Sequence, residues 1–150
     1  MMRWAWLRFA DLGVDDLYDA LALRSRVFVV EQHCAYLDAD GLDRGSWHLL
    51  GRDDAAHLAA YVRVVDPGLK YEEPSIGRVV TAPEARGSGL GRALMAEAIR
   101  RCEGAWPQRA IRIGAQAHLE RFYGEFGFVT VGEPYMEDDI PHLEMLRSAR

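Results

Sequence analysis

Lysine is almost missing from the chain: Lys70 is the only one among 18 basic residues, and the others are arginines. Arginine is a forked, permanently charged donor suited to phosphate and carboxylate. A basic excess is missing as well, because 23 acidic residues leave a net charge of -5. Without a general positive surface there is nothing to hold a nucleic-acid duplex by counterion release, and nucleic acid is excluded as the expected partner. Cysteine is scarce. Cys34 and Cys102 lie far apart, with no CxxC pair and no zinc spacing, so neither a disulfide framework nor a structural metal site is indicated. Reduced thiols in a cytoplasmic protein are the expectation. No apolar run is long enough to cross a bilayer, and the apolar opening is broken by Arg8 and followed by Asp11, a poor pattern for a signal peptide.

What is present is 150 residues, 49% hydrophobic and 27% charged, the balance of one domain over residues 1–150 with enough chain to bury a core. Large and small side chains alternate over 3–9 as in a strand. Helical spacing then runs from Val14 to about Val29, with Asp15 and Asp16 where the helix dipole favours acid. Residues 31–45, with Asp38, Asp40, Gly41, Asp43 and Gly45, are expected to form an acidic surface loop. Strands follow at 47–52 and 57–65, joined at Asp53-Asp54, and another spans 75–81. After the glycines comes a helix on which Leu90, Leu94, Ala98 and Cys102 step by four. Alternation at Ile111, Ile113 and Ala115, a short helix over 118–125, and strands at 128–131 and 142–147 complete the order β-α-β-β-β-α-β-α-β-β. That order describes an α/β domain with a mixed central sheet flanked by helices.

The stretch Arg86-Gly87-Ser88-Gly89-Leu90-Gly91-Arg92 is the strongest functional signal. Glycines at a helix N-terminus leave several amide N-H groups aimed at one spot, an anion site suited to a diphosphate, and Arg86 and Arg92 bracket it. A P-loop would need lysine and a hydroxyl after its last glycine, where Arg92 and Ala93 stand. A dinucleotide fingerprint starting at Gly87 would need glycine at position 92. The remaining structural reading is a tight strand-to-helix turn.

The pattern Arg86-x-x-Gly89-x-Gly91 resembles the pyrophosphate loop of the GNAT acyl-CoA-dependent N-acetyltransferases, and the run from Val79 to Met95 resembles that family's central strand, loop and helix. Residues 26–32, 38–43, 74–79 and 115–119 are similar to the ElaA-like branch. The resemblance implies an acetyltransferase with acetyl-CoA as acyl donor and a small-molecule or peptide amine as acceptor. It implies that Val79, Val80 and Thr81 pair with the pantetheine arm, and that Gly87, Ser88, Gly89, Leu90 and Gly91 meet the diphosphate. Gln116 stands where many relatives carry an asparagine; it can make the same hydrogen bonds with one more methylene of reach. Tyr123, on the short helix, stands where the family places a proton donor to the departing thiolate. Its phenol is protonated at neutral pH, and its alternative is packing beside Phe122 and Phe126.

A general base is open among His48, His142, Glu31 and Glu144. The acidic loop fails as a calcium loop, because Asp43 and Leu49 stand where glycine and glutamate are required. Its carboxylates could attract an ammonium group or simply form a capped turn. A non-catalytic acyl-CoA-binding module is the alternative to an enzyme, and a homodimer through a sheet edge is compatible with this fold.

Overall fold

Alternation in the middle of the chain sets the layers. Val62 and Val64 face one side of the sheet and Tyr61 the other, while adjacent Leu49 and Leu50 divide in the same way. A strand pair buried on both faces calls for a helix on each. A computed structural model covering residues 1–150 supplies them. The helix α1 (Val14–Arg24) places Ala20 and Leu23 against Leu50, Tyr61, Val80 and Ala82. On the other face α2 (Leu90–Ala105) buries Leu90, Leu94, Met95, Ala98, Ile99 and Cys102. No helix is long and apolar enough to cross a membrane. Both cysteines are free; burial pushes the Cys102 thiol up to about 12, as fits a packing residue.

Seven strands form two sheets. The first has the order β1 (Arg3–Arg8), β2 (Ser46–Arg52), β3 (Leu58–Val65), β4 (Ser75–Thr81); the second has β5 (Ile111–Gln116) and β6 (Phe128–Glu137) on either side of β7 (Ile140–Arg147). Every hydrogen-bonded ladder is antiparallel. The mixed character expected of the sheet is confined to the junction of β4 and β5. These strands start side by side, where the Arg112 N-H donates to the Pro74 carbonyl at 3.1 Å.

Three elements differ from expectation. The first helix continues past Val29 to Glu31 in wider turns, with Gln32 N-H donating to the Val27 carbonyl five residues back. The strand β6 runs six residues beyond Val131, because β7 carries it across an irregular register between Val131 and Tyr135. The loop at 31–45 is acidic and lies at the surface as expected, but two of its acids do not: Asp38 and Asp43 are buried. Arg24 Nε donates to Asp38 at 2.8 Å and its Nη1 to Asp43 at 2.8 Å. Arg63 forks onto Asp40 at 2.7 and 2.9 Å and reaches Asp43 at 3.1 Å, and Arg78 Nε donates to Asp38 at 2.9 Å. Three arginines thus meet three aspartates, and the loop is pinned to α1, β3 and β4.

Candidate active site

The strand β4 carries one extra residue relative to β3. Tyr61 pairs with Val80 but Arg63 pairs with Gly77, so Arg78 and Val79 share the bulge opposite Val62. Arg78 takes a φ of +50°, held by its bonds to Asp38. A bulge bends its strand, and no ladder joins β4 to β5. A cavity of about 730 Å³ is walled by Val79, Val80 and Thr81 on one side and Gly114, Ala115 and Gln116 on the other. This is an ordinary size for a ligand site.

Beside it lies the glycine loop. Gly87 and Gly89 have φ of +87° and +79°, the left-handed region that L side chains avoid. Gly89 caps α2 without any side-chain hydrogen bond, and the first helical bond is Ala93 N-H to the Gly89 carbonyl. The N-H groups of Leu90, Gly91 and Arg92 therefore have no partner within the helix. Of the bracketing cations, Arg86 lines the cavity and forks onto Glu31 at 3.0 and 2.8 Å, whereas Arg92 pairs with Glu125 outside it. Hydrogen bonding to Arg86 holds the Glu31 carboxyl below its ordinary value. Both pairs are exposed, and exposed pairs are weak enough to exchange for a better anion. Ser88 Oγ donates to the Ala85 carbonyl at 3.0 Å.

Tyr123 is placed by α3 (Glu120–Gly124). Its ring packs edge-on to Phe122 and Phe128, so the packing alternative describes the ring. The residue also lines the cavity, and its hydroxyl makes no hydrogen bond. Burial pushes the phenol up to about 12. Gln116 lines the cavity too, with its amide donating to Gln32 Oε1 at 3.4 Å.

The structure separates the base candidates. His142, in the cavity wall, has Nδ1 2.7 Å from the Ile140 carbonyl. A carbonyl only accepts, so Nδ1 carries the proton and the neutral ring keeps its lone pair on Nε2. Nε2 stands 3.4 Å from Glu137 Oε2, a partner for the protonated ring. His48 does not fit the role expected of it. It lies outside the cavity wall, 1% exposed, with Tyr61 Oη 2.6 Å from Nδ1 and the Asp43 carbonyl 2.9 Å from Nε2. Its lone pair is taken by Tyr61, and burial lowers its pKa. Glu31 and Glu144 are likewise engaged, by Arg86 and Arg112, and neither lines the cavity. The acidic loop contributes Asp40 to the wall, but with its charge matched by Arg63 and Arg78.

Several wall residues escaped the reading of the sequence, among them Lys70, Arg63, Glu137 and Asp138. Alternation of Tyr135 and Glu137 across Met136 was the available signal for the last part of β6. Tyr135 stacks on His142, with ring centroids 5.7 Å apart, and its hydroxyl closes over Gly114, where an added Cβ would lie 2.7 Å from it. Gly114→Ala is therefore expected to displace Tyr135, costing about 1–3 kcal/mol and slowing any reaction that uses His142. Adding Tyr135→Phe removes the clashing oxygen. Denaturant midpoints of the single and double variants check this, and no recovery in the double variant contradicts it.

Comparison with known proteins agrees with this geometry. Residues 22–148 match the model of the acetyltransferase (GNAT) domain. A UPF0039 protein of Synechocystis is 48% identical over 97% of this chain and 94% of its own length, and the protein ElaA of Escherichia coli is 43% identical over 98% and 97%. Among solved structures, an acyl-CoA N-acyltransferase from Pseudomonas aeruginosa superposes with a TM-score of 0.94 at 45% identity, covering 99% of this chain and 100% of that one. Escherichia coli ElaA gives 0.92 at 41% identity, with the same coverage. With a bulged β4, a gap before β5 and an uncapped glycine loop beside it, the chain belongs to the GNAT acetyltransferase family, in its ElaA-like branch.

Proposed function

We propose that the chain transfers an acetyl group from acetyl-CoA to a primary amine by direct attack in a ternary complex, in the cytoplasm. The observation that carries this reading is the cavity between β4 and β5. An uncapped helix N-terminus lies beside it, and its wall holds both an unpartnered tyrosine hydroxyl and a histidine with an available lone pair. The residues present fit the donor. The free N-H groups at the start of α2, with Arg86 and Arg92 released from Glu31 and Glu125, would take the diphosphate. Val79, Val80, Thr81 and Gln116 would hold the pantetheine arm. When bound, acetyl-CoA supplies the thioester carbonyl that the amine attacks.

The chain's own part is orientation and proton movement. A main-chain N-H near Val80 or Thr81 donates to the carbonyl oxygen as it gains charge. Tyr123 Oη donates to the departing sulfur; with its pKa at about 12 the phenol is protonated at neutral pH. His142 Nε2 accepts the proton lost by the amine, and Glu137 stabilises the charged ring. A free-thiol assay with acetyl-CoA over a panel of amines tests this. Release above hydrolysis with at least one amine is expected, and none with any of them overturns it.

A further inference from the structure

One cation in the cavity wall makes no salt bridge, and the carboxylate whose charge it feels most is Glu137. Lys70, in the connection between β3 and β4, lines the cavity and forms no ion pair; its ammonium lies over the Tyr71 ring, 5.6 Å from the centroid. On the same side, Arg63 is 1% exposed, and its Nε-H is a buried donor without a partner. The other cations are matched: Arg24, Arg63 and Arg78 by Asp38, Asp40 and Asp43, and Arg86 by Glu31. The opposite sign comes from the β6–β7 turn, where Glu137 and Asp138 line the same cavity with no arginine or lysine paired to either. The cavity therefore carries one unbridged cation, Lys70, from the first sheet and two carboxylates, Glu137 and Asp138, from the second, with Glu137 close enough for its charge to act on Lys70.

Resting on the reading that this cavity takes an amine, we infer that the acceptor is a zwitterion, a primary amine that also carries a carboxylate. Its carboxylate sits on Lys70 and its ammonium faces Glu137 and Asp138; one proton leaves to solvent before attack, and the second goes to His142 as the new C–N bond forms. A diamine sets a like charge against Lys70. A phosphorylated amine brings two negative charges to a cavity with one unbridged ammonium and two carboxylates. A plain alkylamine leaves Lys70 without the partner that the other cations have.

The test is calorimetric binding of ω-amino acids from glycine to 6-aminohexanoate, each beside the alkylamine and the diamine of equal length, to protein saturated with CoA. The same set is run in the thiol-release assay. At least one amino acid is expected to bind about tenfold more tightly than its matched amines, the margin of one additional charge-assisted contact. Lys70→Met should bring that ratio to about one, and Lys70→Arg should keep most of it. The inference is overturned if no amino acid outbinds its matched amines, if diamines bind best, or if the ratio survives in Lys70→Met. The two readings fail separately. Selective binding with no thiol release removes acyl transfer and keeps the zwitterion site; release with amines but no carboxylate preference does the reverse.

Discussion

Replacing Arg24 with methionine is expected to lower the stability of the fold by about 3–5 kcal/mol and the melting midpoint by on the order of 10 °C. Methionine preserves much of the volume, so the loss comes from charge. Arg24 is 1% exposed and donates to Asp38 and Asp43, which are themselves buried. Removing it leaves Asp38 with Arg78 and Asp43 with Arg63, and the buried cluster with one negative charge unmatched. Adding Asp43→Asn to the variant should recover part of the loss, and differential scanning calorimetry of the three proteins reads both steps. A drop of only a degree or two would mean that the cluster is solvated and unimportant.

The same cluster sets the acid limit of stability. Burial pushes the Asp40 and Asp43 carboxyls up, but hydrogen bonds from Arg63 and Arg24 outweigh it and hold both below their ordinary value. A depressed folded pKa gives stability that is present above the unfolded value, about 3.9, and lost as pH falls from there through the folded value. His48 acts earlier: burial lowers its folded pKa, so its contribution is present above about 6.5 and fades as pH falls below that. Wild type should therefore weaken in two stages on acidification, and the lower stage should shrink in Arg24→Met.

Tyr123→Phe is expected to reduce kcat by about a hundredfold or more, with the affinity for acetyl-CoA retained. The hydroxyl has no hydrogen-bond partner in the free protein, and the ring packs through its edge and faces. Phenylalanine should thus leave the fold intact while the departing sulfur loses its donor. Calorimetric titration with acetyl-CoA, beside rates of thiol release, separates the two effects. Full activity in the variant would assign the proton to water. A phenol at about 12 also predicts no loss of rate from Tyr123 deprotonation on the alkaline side up to about pH 10.

The strand, glycine loop and helix from β4 to α2 were legible because their signals are local. Ser75–Thr81, the glycine spacing and the steps of four along α2 are patterns within a few residues, and the structure has them as expected. The rest of the cavity wall depends on distant partners. Asp38 finds Arg24 and Arg78, 14 and 40 residues away, and without those partners a loop rich in aspartate and glycine reads as surface. Gly132, Glu133 and Pro134 read as the end of a strand, yet pairing with β7 overrides local propensity and brings Tyr135 and Glu137 to His142. His48 and His142 look alike in sequence. Only burial and hydrogen-bond partners separate a ring locked to Tyr61 from one in the cavity wall.

The gap between β4 and β5 has a consequence for solubility. Each strand is laddered on one side only, so two open edges face each other inside the molecule. Open edges are templates for strand addition by other chains. Here α1 and α2 cover the faces of the sheets beside them, and a ligand that paired with both edges would close the breach. Protein kept without such a ligand should be the form that aggregates when its two sheets part, and protein supplied with it should stay dispersed.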